Sequence, residues 1–225
     1  MLPMLSYSKK IPYNDIEVKN RLKYITQSLK KQQPGASMWW GGWIAIQSLG
    51  ISYAVVAGAL DPANGLWQAK TVTGVQATIG LIGLFIAPME TAYGYDTISA
   101  MADGNPYERY LKLKKAEEIL EYSARRQRGG TSWIAHTSGV ALGVTGGLLI
   151  WLAFKRPWWE GLINFFTMIV GAEARILTQP RRAINEWEKY QQRFSPQDVL
   201  KQSKDTNTSF NLIILPGFIY ASLRF

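Results

Sequence analysis

The sequence predicts an all-α polytopic membrane protein, with four transmembrane helices in two tandem-duplicated helix pairs, each preceded by an amphipathic helix. Three observations predict it. Four apolar segments alternate with strongly charged ones, tryptophans gather at the ends of those segments, and a polar stretch recurs 95 residues later in the chain. The mean hydropathy of −0.08 hides this, because it averages the apolar and charged blocks together.

The first element is a polar arm. In Asp15–Gln33, Ile16, Leu22, Ile25 and Leu29 recur at roughly helical spacing with lysines around the rest, the pattern of an amphipathic helix. Met38–Leu60 follows, apolar or small except for Gln47 and a few hydroxyls. Val72–Ala87, containing Gln76, is shorter and stops at Pro88. A second arm occupies Pro106–Arg128, where Leu113, Ile119 and Leu120 form the apolar stripe and Pro106 can open the helix after the turn residues Asp103-Gly104-Asn105. Thr131–Phe154 carries His136, and Leu162–Ala172 runs into Glu173 and Arg175 before Pro180. A spanning helix needs about 20 predominantly apolar residues. The first and third segments meet this unaided; the second and fourth need flanking residues, so the expected spans are 38–60, 72–88, 131–154 and 158–178.

Of nine tryptophans, eight lie at or near segment ends: Trp39, Trp40, Trp43, Trp67, Trp133, Trp151, Trp158 and Trp159. Indole rings favour the headgroup zone, apolar on one side and wet on the other. These eight are the expected membrane-interface residues, and their positions disfavour a soluble bundle with two buried helices. Residues 1–37 hold seven Lys/Arg, residues 89–130 seven, and the tail from Arg181 seven, against Lys70 in one short link and Lys155 with Arg156 in the other. The positive-inside rule then places both termini in the cytoplasm, and a bacterial inner membrane is the expected location. The opening stretch lacks an apolar core before a small-residue cleavage site, so no signal peptide is expected.

The duplication rests on Lys30–Ser37 (KKQQPGAS) lying over Arg125–Ser132 (RRQRGGTS), with glutamine, glycine and serine in register. Trp43-Ile44-Ala45 likewise recurs as Trp133-Ile134-Ala135 at a shift of 90. Repeat one is 1–102, repeat two 103–194, and 195–225 is a polar linker and apolar tail. Each unit crosses twice, so the repeats are parallel, related by an axis along the membrane normal. The arms suit an anionic headgroup surface, where each basic residue contributes about 1 kcal/mol; they could equally pack on each other or on a partner. In the tail, Phe210–Leu215 and Phe218–Phe225 flank the turn pair Pro216-Gly217 and are too short to span. Alternation at Ile219, Ala221, Leu223 and Phe225 is strand-like, and the tail is expected to dock on its own or a neighbouring subunit.

Small residues recur every fourth position at Gly50, Ala54, Gly58 and again at Gly139, Gly143, Gly147. In lipid, close backbone approach and dispersion drive helix association, and small residues permit it; these six are the expected packing residues, within one chain or between chains. Ionisable groups at membrane depth are the functional candidates. His136 is shallow, and its counterpart is Ile46, so it reads first as interfacial. Glu90 follows Pro88 at a helix end and reads as wet. Glu173 and Arg175 are two positions apart and do not face each other, so each needs its own partner; Gln47, Gln76 and Asn164 are the polar company available.

No cysteine is present, which excludes disulfides, thiolate metal sites and thiol nucleophiles. Metal-ligand spacing, a P-loop, a dinucleotide fingerprint and a nucleophile elbow are absent. The net charge of +9 is accounted for by the topology and needs no nucleic-acid partner. No catalytic residue, metal or cofactor is expected. The leading reading is a non-catalytic scaffold or assembly subunit that associates with itself or with other membrane-protein subunits through small-residue faces. A small channel or transporter with a path near Glu173, Arg175 and His136 is second, and a membrane-bound enzyme third.

Overall fold

The computed structural model describes residues 14–60, 66–194, 209–215 and 218–224. Apart from one hairpin they are helical. The elements are α1 (Asp15–Leu60), α2 (Leu66–Ile86), α3 (Gly94–Ser99), α4 (Pro106–Gly130), α5 (Trp133–Leu148), α6 (Trp158–Thr178), α7 (Arg182–Phe194), and strands β1 (Ser209–Leu215) and β2 (Phe218–Arg224). The described residues up to Trp187 form one compact unit and those from Glu188 onward a second.

Four helices are long and apolar enough to cross a membrane: the apolar stretch of α1, α2 from Trp67, α5 with its continuation to Ala153, and α6. Flanking residues complete the two short segments. Helix α2 starts at Leu66, six positions before the apolar run, and α6 covers the expected 158–178. Helix α5 ends in a single π turn, Leu149–Ala153, closed by Phe154 N–H on the Leu149 carbonyl at 3.0 Å.

The first arm and the first span, expected as separate elements, are one helix of 46 residues. At 1.5 Å per residue it is about 70 Å long. Asn14 starts it, its side chain accepting from the N–H groups of Ile16 (2.7 Å) and Glu17 (3.3 Å). Pro34 lies inside it on an exposed face, and a proline there removes the hydrogen bond to the carbonyl four residues back. The second arm does separate from its span. Helix α4 begins with a capping box between Asn105 and Glu108 and with Pro106 in its first turn, as the sequence led one to expect. It ends at Gly130, where Ser132 N–H bonds the Gly129 carbonyl at 3.1 Å and Thr131 Oγ1 donates to the Gln127 carbonyl at 3.1 Å.

The arms pack on each other. Val18, Ile25 and Leu29 of α1 and Leu113, Ala116, Ile119, Leu120 and Ala124 of α4 are all buried to within 2% of full enclosure, and the two helices are in contact. Arg109 grips Asp15 through Nε (2.8 Å) and Nη2 (3.0 Å), and Arg21 lies 3.7 Å from Glu117. Start meets start, so the arms run parallel; of the expected first-arm stripe Ile25 and Leu29 are used within the chain, Val18 joins them, and Ile16 stays exposed.

At this end of the molecule, the arm side, α2 and α6 also terminate. Trp39, Ala36, Leu84, Met89 and Ala92 form a buried cluster there. The opposite end, the loop side, brings Trp67 and Phe154 together at a ring-centroid distance of 6.4 Å. In the second unit, β1 and β2 form an antiparallel hairpin pairing Ser209 with Arg224 and Leu215 with Phe218.

Candidate functional site

Four of the polar groups within the long apolar helices, Gln76, Asn164, His136 and Glu173, pair off where α2, α5 and α6 come together. At mid-span Gln76 and Asn164 exchange hydrogen bonds: Asn164 Nδ2 donates to Gln76 Oε1 at 3.0 Å, and Gln76 Nε2 to Asn164 Oδ1 at 3.3 Å. The same Nε2 donates to the Leu142 carbonyl at 2.9 Å, and Asn164 Nδ2 reaches Thr73 Oγ1 at 3.4 Å. Both residues are buried. An amide pair that satisfies its own donors and acceptors is tolerable where water is excluded, and here it clasps three helices. Gly146 makes room, since a Cβ there would overlap the Gln76 amide.

Toward the arm side, His136 Nδ1 lies 2.8 and 2.9 Å from the two carboxylate oxygens of Glu173. With the carboxylate ionised, which only accepts, the bond is donated from Nδ1–H. Both side chains are partly exposed, His136 at 41% and Glu173 at 33%. The duplication left His136 looking dispensable; in the fold it is the partner that Glu173 requires. Gln76 and Asn164, the polar company proposed for Glu173 and Arg175, satisfy each other instead, and Gln47 lies against Gly80 at the α1–α2 crossing.

Toward the loop side, Lys70 Nζ donates to the Tyr53 hydroxyl at 2.9 Å, and Arg156 pairs with Glu160 at 2.6 Å. A cavity of about 350 Å³ lies among Tyr53, Lys70, Thr73, Glu160 and Asn164. A second of about 380 Å³ is lined only by apolar groups, including Gly147, Trp151, Trp158 and Gly161.

Both glycine stripes face helices of the same chain. A Cβ at Gly139 would fall 2.5 Å from that of Ala172, one at Gly143 3.0 Å from the Phe165 carbonyl oxygen, and one at Gly147 2.8 Å from that of Gly161. On α1, Gly50 faces Ala77, Ala54 faces Gly74, and Gly58 faces Trp67 and Lys70.

The tryptophans divide. Trp67, Trp133, Trp151, Trp158 and Trp159 are exposed, between 46% and 73%. Trp39 is buried in the arm-side cluster, with its indole N–H on Thr178 Oγ1 at 3.2 Å; Trp43 donates to the same oxygen at 3.4 Å, and Trp40 to the Leu84 carbonyl at 3.1 Å. These three are tied into protein, because α2 and α6 end beside them with acceptors free. Glu90, expected in water, is partly enclosed, and that burial raises its carboxyl above the ordinary range.

The helix crossings and the arms also use residues that the sequence pattern did not single out. Gly74, Gly80 and Gly161 take close contacts, but their spacing is not the regular four. Ser28 with Gln32, and Ser123 with Gln127, are buried at matching places on the two arms; carrying the 95-residue register two positions further back finds the serines. Arg126 registers in the sequence only as basic charge. In the fold its Nε donates to the Ala87 carbonyl at 2.7 Å, and burial lowers its guanidinium to about 10. No group of three or more His, Cys, Asp or Glu able to hold a metal ion occurs among the described residues.

No protein-family model, curated protein or solved structure matches the chain.

Proposed function

We propose that the chain is a non-catalytic subunit of a membrane complex, a scaffold that sits in a bacterial inner membrane with both termini cytoplasmic. Its two helix pairs descend from a tandem duplication and carry a helical platform on the arm side. The observation behind the scaffold reading is how little the chain covers its own spans: 6% of the apolar window of α1 is buried. Ile46, Leu49, Tyr53 and Val56 stand exposed along it, a face for lipid or for another subunit. The parallel arms support the duplication, since Asp15 meets Arg109 at a separation of 94 residues, close to the sequence register.

With both predicted glycine stripes occupied inside the chain, the small-residue face left for association is Gly41, Ala45 and Ser52 on α1, all exposed. Replacing Gly41 and Ala45 together by leucine would block close approach there. The expected result is loss of the oligomer or of co-purifying partners in mild detergent, with the thermal transition unchanged. A wild-type chain that is strictly monomeric and partnerless would refute the scaffold.

A second reading, a small channel or transporter, is favoured by the placement of polar groups at three depths: His136–Glu173, Gln76–Asn164 and the cavity beside Lys70. It expects Glu173→Gln to abolish a solute flux in proteoliposomes. Unchanged flux would eliminate it.

A further inference from the structure

On the arm side two arginines on different helices, Arg126 and Arg175, stand at the contact made through Gln179. Arg126, in the last turns of α4, spends its guanidinium on neutral acceptors: the Ala87 carbonyl, Gln179 Oε1 at 3.5 Å and Met89 Sδ at 3.8 Å. Its carbon stands 5.4 Å from the centre of the Trp39 ring. Arg175 stands on α6 one turn before Gln179, on the side of that helix that meets Arg126. Among the described residues neither arginine pairs with a carboxylate: Glu173, two positions away, is taken by His136, and the other ion pairs lie elsewhere on the chain.

Two half-buried cations with no counter-charge are costly, because each loses hydration and neither gains a partner. The adjoining platform neutralises its buried arginines: Arg21 has Glu17 and Glu117, and Arg109 has Asp15. The missing charge at Arg126 and Arg175 is therefore a property of this place. The place is also specific. The ends of α2 (Ala87) and α6 (Thr178, Gln179) and the entry of α1 into its apolar stretch (Trp39, Trp43) converge there, where headgroups of the near leaflet lie if these helices cross a bilayer. Guanidinium forks match phosphate oxygens in pairs.

We propose that Arg126 and Arg175 together bind a phosphate group, and that the group belongs to an anionic phospholipid of the leaflet on the arm side. The site rests on the membrane reading and not on the scaffold role, so an active transporter would leave it standing.

Native mass spectrometry of the full chain in mild detergent tests it, with phosphatidylglycerol, phosphatidylcholine and inorganic phosphate each titrated separately and in competition. The wild type should take up one phosphatidylglycerol before any phosphatidylcholine. Arg126→Gln with Arg175→Gln should weaken that first binding by roughly tenfold or more, as loss of charge-assisted bonds predicts. Lys70→Gln, at the loop side, should leave it unchanged. Arg126→Lys with Arg175→Lys keeps the charge and loses the fork, so it should fall between; this variant and single Arg175→Gln decide the matter if the double glutamine variant fails to fold. Equal lipid binding by wild type and arginine variants overturns the proposal. Displacement of the lipid by millimolar inorganic phosphate overturns the lipid as the source and supports a soluble phosphate compound at the same arginines.

Discussion

In the α1–α2 hairpin a methyl group added at Gly50 would sit 3.4 Å from Ala77, and one at Gly58 would sit 3.6 Å from the Trp67 backbone, both ordinary contacts. In the α5–α6 hairpin the same additions at Gly139 and Gly147 would press on Ala172 at 2.5 Å and on the Gly161 carbonyl oxygen at 2.8 Å. Two triplets with the same spacing thus perform different work. Around Gly147 and Gly161 backbone meets backbone, close enough for Cα–H to carbonyl contacts. Between α1 and α2 the tight places are on the other helix, Gly74 against Ala54 at 3.0 Å and Gly80 against the Gln47 amide at 2.8 Å. Spacing marks a face; what lies opposite decides whether glycine is required.

The largest expected effect separates the hairpins directly. Gly147→Ala must move the Gly161 backbone, and overpacking of this kind costs about 1–3 kcal/mol. Gly58→Ala fits its space and removes a flexible glycine from a helix interior, so it should be neutral or stabilising by up to about 1 kcal/mol. Thermal or denaturant unfolding of both variants in the same detergent reads the contrast. Equal destabilisation would mean that the two crossings are equally close.

Next in size is the clasp that joins the hairpins. Gln76→Leu leaves the Asn164 amide without its main partner, and Asn164→Leu does the reverse; each should cost about 1–2 kcal/mol, within the range for hydrogen bonds between membrane helices. The double variant should cost less than the sum of the two singles, and strict additivity in the cycle would show the pair to be uncoupled.

How much of this could be read from the chain follows from the range of each interaction. The four long apolar helices, the proline stops after α2 and α6, the Asn105 cap and the stripe of the second arm are local patterns, and the fold realises them; of the first arm's stripe it buries Ile25 and Leu29 with Val18, while Ile16 stands exposed. Continuity of α1 through Pro34 broke a local rule because the proline sits on an exposed face. Partner choice is not local. His136 finds Glu173 at 37 residues' separation and Gln76 finds Asn164 at 88, distances set by helix crossings that no short motif encodes. Arg126 was illegible for the same reason: its significance lies in having neutral neighbours, which only the fold supplies.

A smaller effect belongs to the turn of the second hairpin. Lys155 has φ of 54°, a left-handed conformation that costs a residue bearing a Cβ roughly 1 kcal/mol. Lys155→Gly should therefore raise stability by up to about that amount. A loss instead would show that the lysine side chain contributes more than the strain removes.

The smallest effect extends the comparison to the arms, whose junction titrates while the glycine crossings do not. Arg109 and Lys19 hold the Asp15 carboxyl below the usual aspartate range, and Lys112 does the same for Asp103. A carboxyl whose folded value is depressed adds stability above the unfolded value, about 3.9, and that contribution disappears as pH falls through the lower folded value. These pairs are exposed, so salt screens them and the gain is modest. Hydrogen exchange on the full chain between pH 6 and pH 3 should show residues 15–29 of α1 and 106–120 of α4 losing protection first, relative to the unfolding of the whole. The crossing of α5 on α6 at Gly147 should hold its protection over the same interval. Arg109→Gln should remove the Asp15 share of the acid response and leave that of Asp103, whereas an unchanged response in that variant would detach the pH dependence from the arm junction.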